Sequence, residues 1–169
     1  MSRRVRHDLL VADAIRAVAW RGGLPTDRQQ LWACCVKAGR LGSVELVEIG
    51  ALNELVGHPR EGFQRAVRED ASVVLFIRTG PGGGTLSRIE RARAARFAAV
   101  GVLLGVRVLD YLAVGRWGLE SARESGCFAG LRGKAGTALR ALVEGFRLPC
   151  GDERRPRVRP RQRAEALTA

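Results

Sequence analysis

Histidine and aromatic residues are scarce in this sequence. There are two histidines, His7 and His58, and phenylalanine, tryptophan and tyrosine together make up 5% of the 169 residues. With so few aromatic side chains, the core has to be built mainly from leucine, valine and alanine. With so few imidazoles, no histidine is available to activate a nucleophile. We interpret His58, at a predicted helix start, as structural and His7 as exposed.

Long apolar runs are also missing. No run approaches the length of a membrane-spanning helix, and no apolar segment of the kind found in leader peptides follows the first four residues. We therefore expect a cytoplasmic protein that makes no contact with a membrane.

Cysteines are few, and they lack the spacing of a metal site. The four are Cys34, Cys35, Cys127 and Cys150. Adjacent Cys34 and Cys35 are expected to point to opposite faces of a strand. We interpret the cysteines as small buried residues in a reducing compartment, in preference to disulfides or zinc ligands.

Positive charge is abundant and comes almost entirely from arginine. The formal net charge is +12, and only Lys37 and Lys134 are lysines. The charge predicts weak, non-specific attraction for nucleic acid, although an arginine-rich composition explains it equally well. A protein is a further candidate partner. The nucleic-acid contacts expected from the carboxyl-terminal tail are Arg154, Arg155, Arg157, Arg159, Arg161 and Arg163.

Hydrophobic periodicity predicts an α/β fold, a mixed β-sheet sandwiched by helices. A domain over residues 1–128 is followed by a short helical extension over 129–148, with a helix at Thr137 to Phe146, and by a basic disordered tail over 149–169. The predicted helices are Asp8 to Trp20, with Asp8 as N-cap, His58 to Asp70, with Phe63, Ala66 and Val67 on its apolar face, and Ser87 to Leu104, closed by Gly105. The predicted strands are Leu31 to Val36, Leu41 to Leu52, Val73 to Ile77, Val106 to Val114, interrupted at Asp110 and Tyr111, and Trp117 to Ser121.

Two local predictions concern the second strand. Residues 37–40 should form a hairpin turn in which Gly39 takes a positive φ. Alternation then places Val44, Leu46 and, as a further candidate, Glu48 on one face, and Glu45, Val47 and Ile49 on the other.

The central stretch, Ser72 to Ser87, predicts a buried strand, a glycine-rich loop and a helix opened by Thr85 or Ser87. Such a loop can hold a phosphate on backbone N–H groups, but no lysine follows it as in a P-loop. We favour relaxation of the loop as the reason for its glycines. The arginines at the start of the helix spread around it, and Glu90 is a candidate partner for Arg93.

Several segments, with spacings that need no gaps, resemble RadC-like proteins of the JAB/MPN superfamily, whose active members are zinc metallopeptidases. The resemblance runs from about Asp8 to Cys127 and implies the cytidine-deaminase-like α-β-α architecture. The matching segments are Gly50 to Asn53, His58 to Glu61, the central stretch, Leu103 to Gly115 and Ser121 to Gly126.

The family motif implies where a zinc site would stand. Two histidine ligands fall on Ile77 and Thr79, the aspartate ligand falls on Glu90, and the family serine matches Ser87. The glutamate that serves as general base falls on Leu46, with Glu45 one residue away. Isoleucine cannot bind a metal and threonine is a weak ligand for zinc. The resemblance therefore implies a scaffold without its zinc, so no metal or other cofactor is expected.

Three functions follow, in order of preference. The first is an inactive pseudoenzyme that acts as an interaction or scaffold module, although similarity to the family suggests DNA repair or peptidase activity. The second is a non-specific nucleic-acid-binding accessory protein that uses the basic surface and tail. The third is a metal-free hydrolase that uses Ser87 and Glu90. It is considered because no other role for Glu90 is visible in the sequence.

Overall fold

A computed structural model describes residues 3–24, 27–50 and 59–129. Within these ranges the chain forms three α-helices and five strands. The helices are α1 (Arg3–Val18), α2 (Pro59–Arg68) and α3 (Arg88–Leu104), and the strands are β1 (Gln29–Lys37), β2 (Arg40–Gly50), β3 (Val73–Thr79), β4 (Arg107–Gly115) and β5 (Gly118–Ser121).

The strands form one mixed sheet in the order β2-β1-β3-β4-β5. β1 is antiparallel to both β2 and β3, β3 is parallel to β4, and β4 is antiparallel to β5. Helix α3 makes the crossover that a parallel pair requires. The predicted α/β architecture, a mixed sheet flanked by helices, is confirmed.

The core has two parts, one on each face of the sheet. Side chains from α1 pack on the face that carries Trp32 and Ile77, here called the α1 face. Side chains from α2 and α3 pack on the face that carries Phe76 and Tyr111, here called the α2–α3 face. Because both faces are covered, β3 is buried along nearly its whole length, as its continuous apolar run predicts.

The scarce aromatic residues are concentrated on the α2–α3 face. The rings of Phe63, Phe76, Phe97 and Tyr111 meet edge to face, with the centroids of Phe76 and Phe97 4.5 Å apart. Gly62 makes room for this cluster, because a Cβ there would lie 2.6 Å from the Phe76 ring. Leucine, valine and alanine therefore share this half of the core with an aromatic cluster.

The paired cysteines lie on opposite faces, as predicted. Cys35 packs on the α2–α3 face and Cys34 on the α1 face, and both thiols are free. Burial raises the pKa of Cys34 to about 12 and also raises the pKa of Cys35. Both are therefore poor nucleophiles at neutral pH.

Strand β2 contains two irregularities. Leu31 pairs with Glu48 while its neighbour Trp32 pairs with Leu46, so Val47 is an extra residue, and a second register shift lies opposite Cys35. The bulge turns Glu48 to the side of Leu31, so its predicted place beside Leu46 is wrong. Bulges of this kind blunt a sheet edge against unwanted strand pairing. The preceding turn is as predicted, with φ of 74° at Gly39.

Several predicted local details are wrong. Helix α1 begins at Arg3, so Asp8 lies inside the helix and is not its N-cap. Val67 is exposed on α2, which ends at Arg68 before a left-handed Asp70 with φ of 53°. β4 runs from Arg107 to Gly115 as one strand, and the predicted interruption is present only as a register shift against β3 that leaves Leu109 as an extra residue before Asp110. Hydrogen bonds satisfy the buried carboxylate of Asp110 within the strand.

Some predictions lie outside the described residues. These are the N-terminal role of His58, the helix at Thr137 to Phe146, and the basic tail with its six arginines. In the part of the chain that is described, no helix has both the length and the apolar content to cross a membrane.

Candidate functional site

The candidate site lies where β3 ends and the chain passes through the glycine-rich loop into α3. Of the two predicted helix starts, Thr85 and Ser87, the structure has Ser87 as the N-cap of α3. Its Oγ accepts a hydrogen bond from the Glu90 backbone N–H at 3.2 Å, and Glu90 Oε2 accepts one from the Ser87 backbone N–H at 2.9 Å. This reciprocal capping box fixes the helix start.

The second oxygen of Glu90 is bound to an arginine of β3. Arg78 Nε donates to Glu90 Oε1 at 2.6 Å, and the two side chains are only 4% and 1% exposed. Arg78 also donates to the Thr85 carbonyl at 2.8 Å. The interpretation that Glu90 has no partner, or pairs with Arg93, is therefore wrong. An arginine inside an otherwise apolar strand was the signal for a buried partner.

Arg93 lies instead beside the buried ring of Tyr111. Burial raises the pKa of the Tyr111 hydroxyl, and the positive charge of Arg93 partly opposes this effect. Tyr111 is therefore a neutral phenol at physiological pH.

The five residues on which the family's zinc-site motif falls are here called the inherited positions. Besides Ser87 and Glu90, they are Leu46, Ile77 and Thr79, which lie on the α1 face. Trp32 pairs with Leu46 on one side and with Ile77 on the other, so these three residues form one row across the sheet. Ile77 is fully buried and Leu46 is 37% exposed. Thr79, two residues along β3, shares this face, and its buried hydroxyl has no hydrogen-bond partner among the described residues. The five positions thus fall into two groups, with Ser87 and Glu90 on the α2–α3 side.

A zinc ion does not fit these residues. Leucine and isoleucine offer no donor atom, and both carboxylate oxygens of Glu90 already accept hydrogen bonds. No group of three or more His, Cys, Asp or Glu side chains suited to a metal occurs among the described residues. Ser87 is equally unsuited to nucleophilic attack, because the Glu90 carboxylate bonds its backbone N–H and not its hydroxyl.

The glycine-rich loop packs against the turn between β4 and β5. A Cβ on Gly84 would lie 1.8 Å from the carbonyl oxygen of Gly118, and one on Gly115 would lie 2.1 Å from that of Gly82. The Arg116 backbone N–H also donates to the Gly82 carbonyl at 3.1 Å. Relaxation of the loop is therefore the wrong explanation for Gly84, since two backbones can approach this closely only without side chains.

We expect Gly84→Ala to lower the free energy of unfolding by about 1–3 kcal/mol, the range for overpacking. Gly83→Ala is the matched control, because a Cβ there meets no atom of the described residues within 4 Å. It should change stability by less than about 0.5 kcal/mol. Urea unfolding of both variants measures the difference, and equal midpoints would contradict the close packing.

A second buried polar cluster joins β4 to the chain after β5. Asp110 Oδ1 accepts from the backbone N–H groups of Tyr111 and Arg123 at 2.7 and 3.0 Å, and Oδ2 accepts from Ser121 Oγ at 2.6 Å. Ser121 Oγ in turn accepts from the Glu124 backbone N–H at 3.0 Å. The cluster orders the turns that follow Ser121.

His7 approaches the same carboxylate from α1. Its Nε2 lies 3.5 Å from Asp110 Oδ2, and its side chain is 18% exposed. The interpretation of His7 as simply exposed is therefore wrong. The cluster of Asp110 and Ser121 connects two segments that carry the family resemblance, and sequence reasoning gave it no role.

Comparison with known proteins identifies the family of this chain. The family model for the RadC-like JAB domain matches residues 12–127. A UPF0758 protein of Symbiobacterium thermophilum is 40% identical over 88 residues, covering 52% of this chain and 38% of its own length. A UPF0758 protein of Trichlorobacter lovleyi is 35% identical over 106 residues, covering 61% of this chain and 46% of its own length.

The chain thus spans less than half the length of these curated relatives. The family match covers more than half of the chain and contains every described strand. The protein belongs to the RadC-like JAB domain family.

Proposed function

We propose that this protein is a pseudoenzyme, a JAB domain that serves as an interaction or scaffold module and has no zinc peptidase activity. One observation carries the proposal: Glu90, the single carboxylate among the five inherited site positions, is bound by Arg78 and by the helix cap. A carboxylate committed in this way is not available to a metal. Leu46 and Ile77 offer no donors in its place.

Metal analysis of the purified protein tests this proposal. After dialysis against a buffer that contains zinc, we expect less than one bound zinc ion per chain. We also expect no cleavage of peptide substrates when zinc is present. A Cys127→Ser/Cys150→Ser variant is the control for zinc held by thiols. One equivalent of zinc in this variant, together with peptide cleavage that Glu90→Ala abolishes, would refute the proposal.

Non-specific binding of nucleic acid is the second candidate function. The net charge of +12 supports it, and the charge is spread over the chain, with six arginines in the tail. Affinity for a labelled duplex should fall steeply between 50 and 200 mM salt, by about tenfold or more, because phosphate contacts release counterions. Removal of residues 149–169 should reduce the slope. Absence of binding at 50 mM salt would exclude this function.

A further inference from the structure

The turn between β4 and β5 presents an aromatic ring to solvent. Gly115 pairs with Gly118, so Arg116 and Trp117 alone form the tip of this hairpin. Trp117 is 80% exposed, and the Arg116 guanidinium lies over its ring, 5.1 Å from the centroid. Because Arg116 covers one face of this exposed ring, the opposite face is open to a planar ligand.

The tip is held in place by the glycine-rich loop. The hydrogen bond from the Arg116 backbone N–H to Gly82 and the close approach of Gly84 to Gly118 fix both sides of the turn. A ring presented on a supported turn loses little conformational freedom when it binds a ligand.

The surroundings of the tip favour an anion. The Arg116 guanidinium is itself at the tip, over the Trp117 ring. Glu120 of β5, the carboxylate that follows the hairpin in the chain, already pairs with Arg91 and accepts from the Leu86 N–H. The charge at the tip itself is therefore the positive charge of Arg116.

We propose that Arg116 and Trp117 form a stacking site for single-stranded nucleic acid. An unpaired base stacks on the free face of Trp117, and the guanidinium of Arg116 contacts the neighbouring phosphate. Single strands are favoured over duplexes because only an unpaired base exposes its ring face. The proposal rests on the second candidate function and assigns it a site outside the basic tail.

Fluorescence anisotropy of a labelled oligothymidylate with the full-length protein tests the proposal. Trp117→Ala should weaken binding by about tenfold, the loss expected for one base–aromatic stack, and Trp117→Phe should retain most of the affinity. Arg116→Ala should lower the salt slope by about one phosphate contact. Trp20→Ala is the matched control, because Trp20 is 92% exposed and lies in the short π-helical segment, Ala19–Gly23, that follows α1. The affinity of this variant should equal that of the wild type.

Other outcomes separate the site from the function. If Trp117→Ala binds like the wild type while removal of residues 149–169 abolishes binding, the stacking site is wrong and the second candidate function stands. If the wild type binds the labelled duplex but not the oligothymidylate at 50 mM salt, the stacking site is wrong, and if it binds neither, both are wrong. If Trp117→Ala converts an oligomer to a monomer in sedimentation and leaves the oligonucleotide affinity unchanged, the tip is a protein interface and the proposal is overturned.

Discussion

Glu90→Ala should destabilise the protein by about 3–5 kcal/mol, the range for removing one partner of a buried ion pair. The substitution leaves the Arg78 guanidinium buried, with its remaining hydrogen bond to the Thr85 carbonyl. It also removes the half of the capping box that satisfies the Ser87 backbone N–H. The cost of an unpaired buried charge is therefore added to that of an orphaned donor.

Two further variants separate these contributions. Ser87→Ala removes only the side-chain cap and should cost about 1 kcal/mol. The double variant Arg78→Met/Glu90→Leu removes both charges, and it should recover most of the stability lost in Glu90→Ala, since apolar replacement of a buried pair is often neutral. Urea unfolding of Arg78→Met, Glu90→Leu and the double variant, each compared with the wild type, forms a thermodynamic cycle. A coupling energy below about 0.5 kcal/mol would contradict the buried pair.

The ion pair between Arg78 and Glu90 also determines whether Glu90 can bind zinc. If Glu90 were a zinc ligand, the Arg78 guanidinium would have to release Glu90 Oε1 before the metal could bind that oxygen. Removal of Arg78 alone should then improve zinc affinity, whereas the pseudoenzyme proposal predicts no site in Arg78→Met either. The thermodynamic cycle and the zinc measurement therefore both test whether Arg78 holds the Glu90 carboxylate.

The sequence predicts the architecture because each element carries its own signal. β3 is a continuous apolar run, and α3 has Ser87 at its start and Gly105 at its end, where φ is 68°. These local signals are not altered by tertiary packing. The family motif then places the inherited positions on β2, β3 and α3 by residue spacing alone.

The site itself is poorly predicted, because its contacts join residues that periodicity does not relate. Arg78 and Glu90 are 12 residues apart on different elements, and their pairing depends on how α3 crosses the sheet. The place of Glu48 depends on a bulge in β2, which has no distinct signal in the sequence. The need for glycine at position 84 comes from a backbone more than 30 residues away.

The buried carboxylate of Asp110 carries the other large expected effect. Asp110→Ala should lower the free energy of unfolding by about 3 kcal/mol, because it leaves two backbone N–H groups and one hydroxyl without their acceptor. Asp110→Asn keeps the shape but replaces one acceptor oxygen with a donor facing Ser121 Oγ, and it should cost about 2 kcal/mol. Ser121→Ala should cost about 1 kcal/mol, since the carboxylate keeps its two backbone donors.

Denaturant unfolding with amide hydrogen exchange distinguishes this role from a general loss of packing. Exchange at Arg123 and Glu124, whose N–H groups are bonded within the cluster, should accelerate more in Asp110→Ala than exchange in β1. Asp13→Ala is the control, because Asp13 forms an exposed pair with Arg16, whose loss should cost less than about 1 kcal/mol. Equal costs for Asp110→Ala and Asp13→Ala would show that the Asp110 cluster does not hold the turns after Ser121. These turns follow directly on β5. Faster exchange in the turns of Asp110→Ala, with exchange in the sheet unchanged, would show that this carboxylate stabilises the segment after β5.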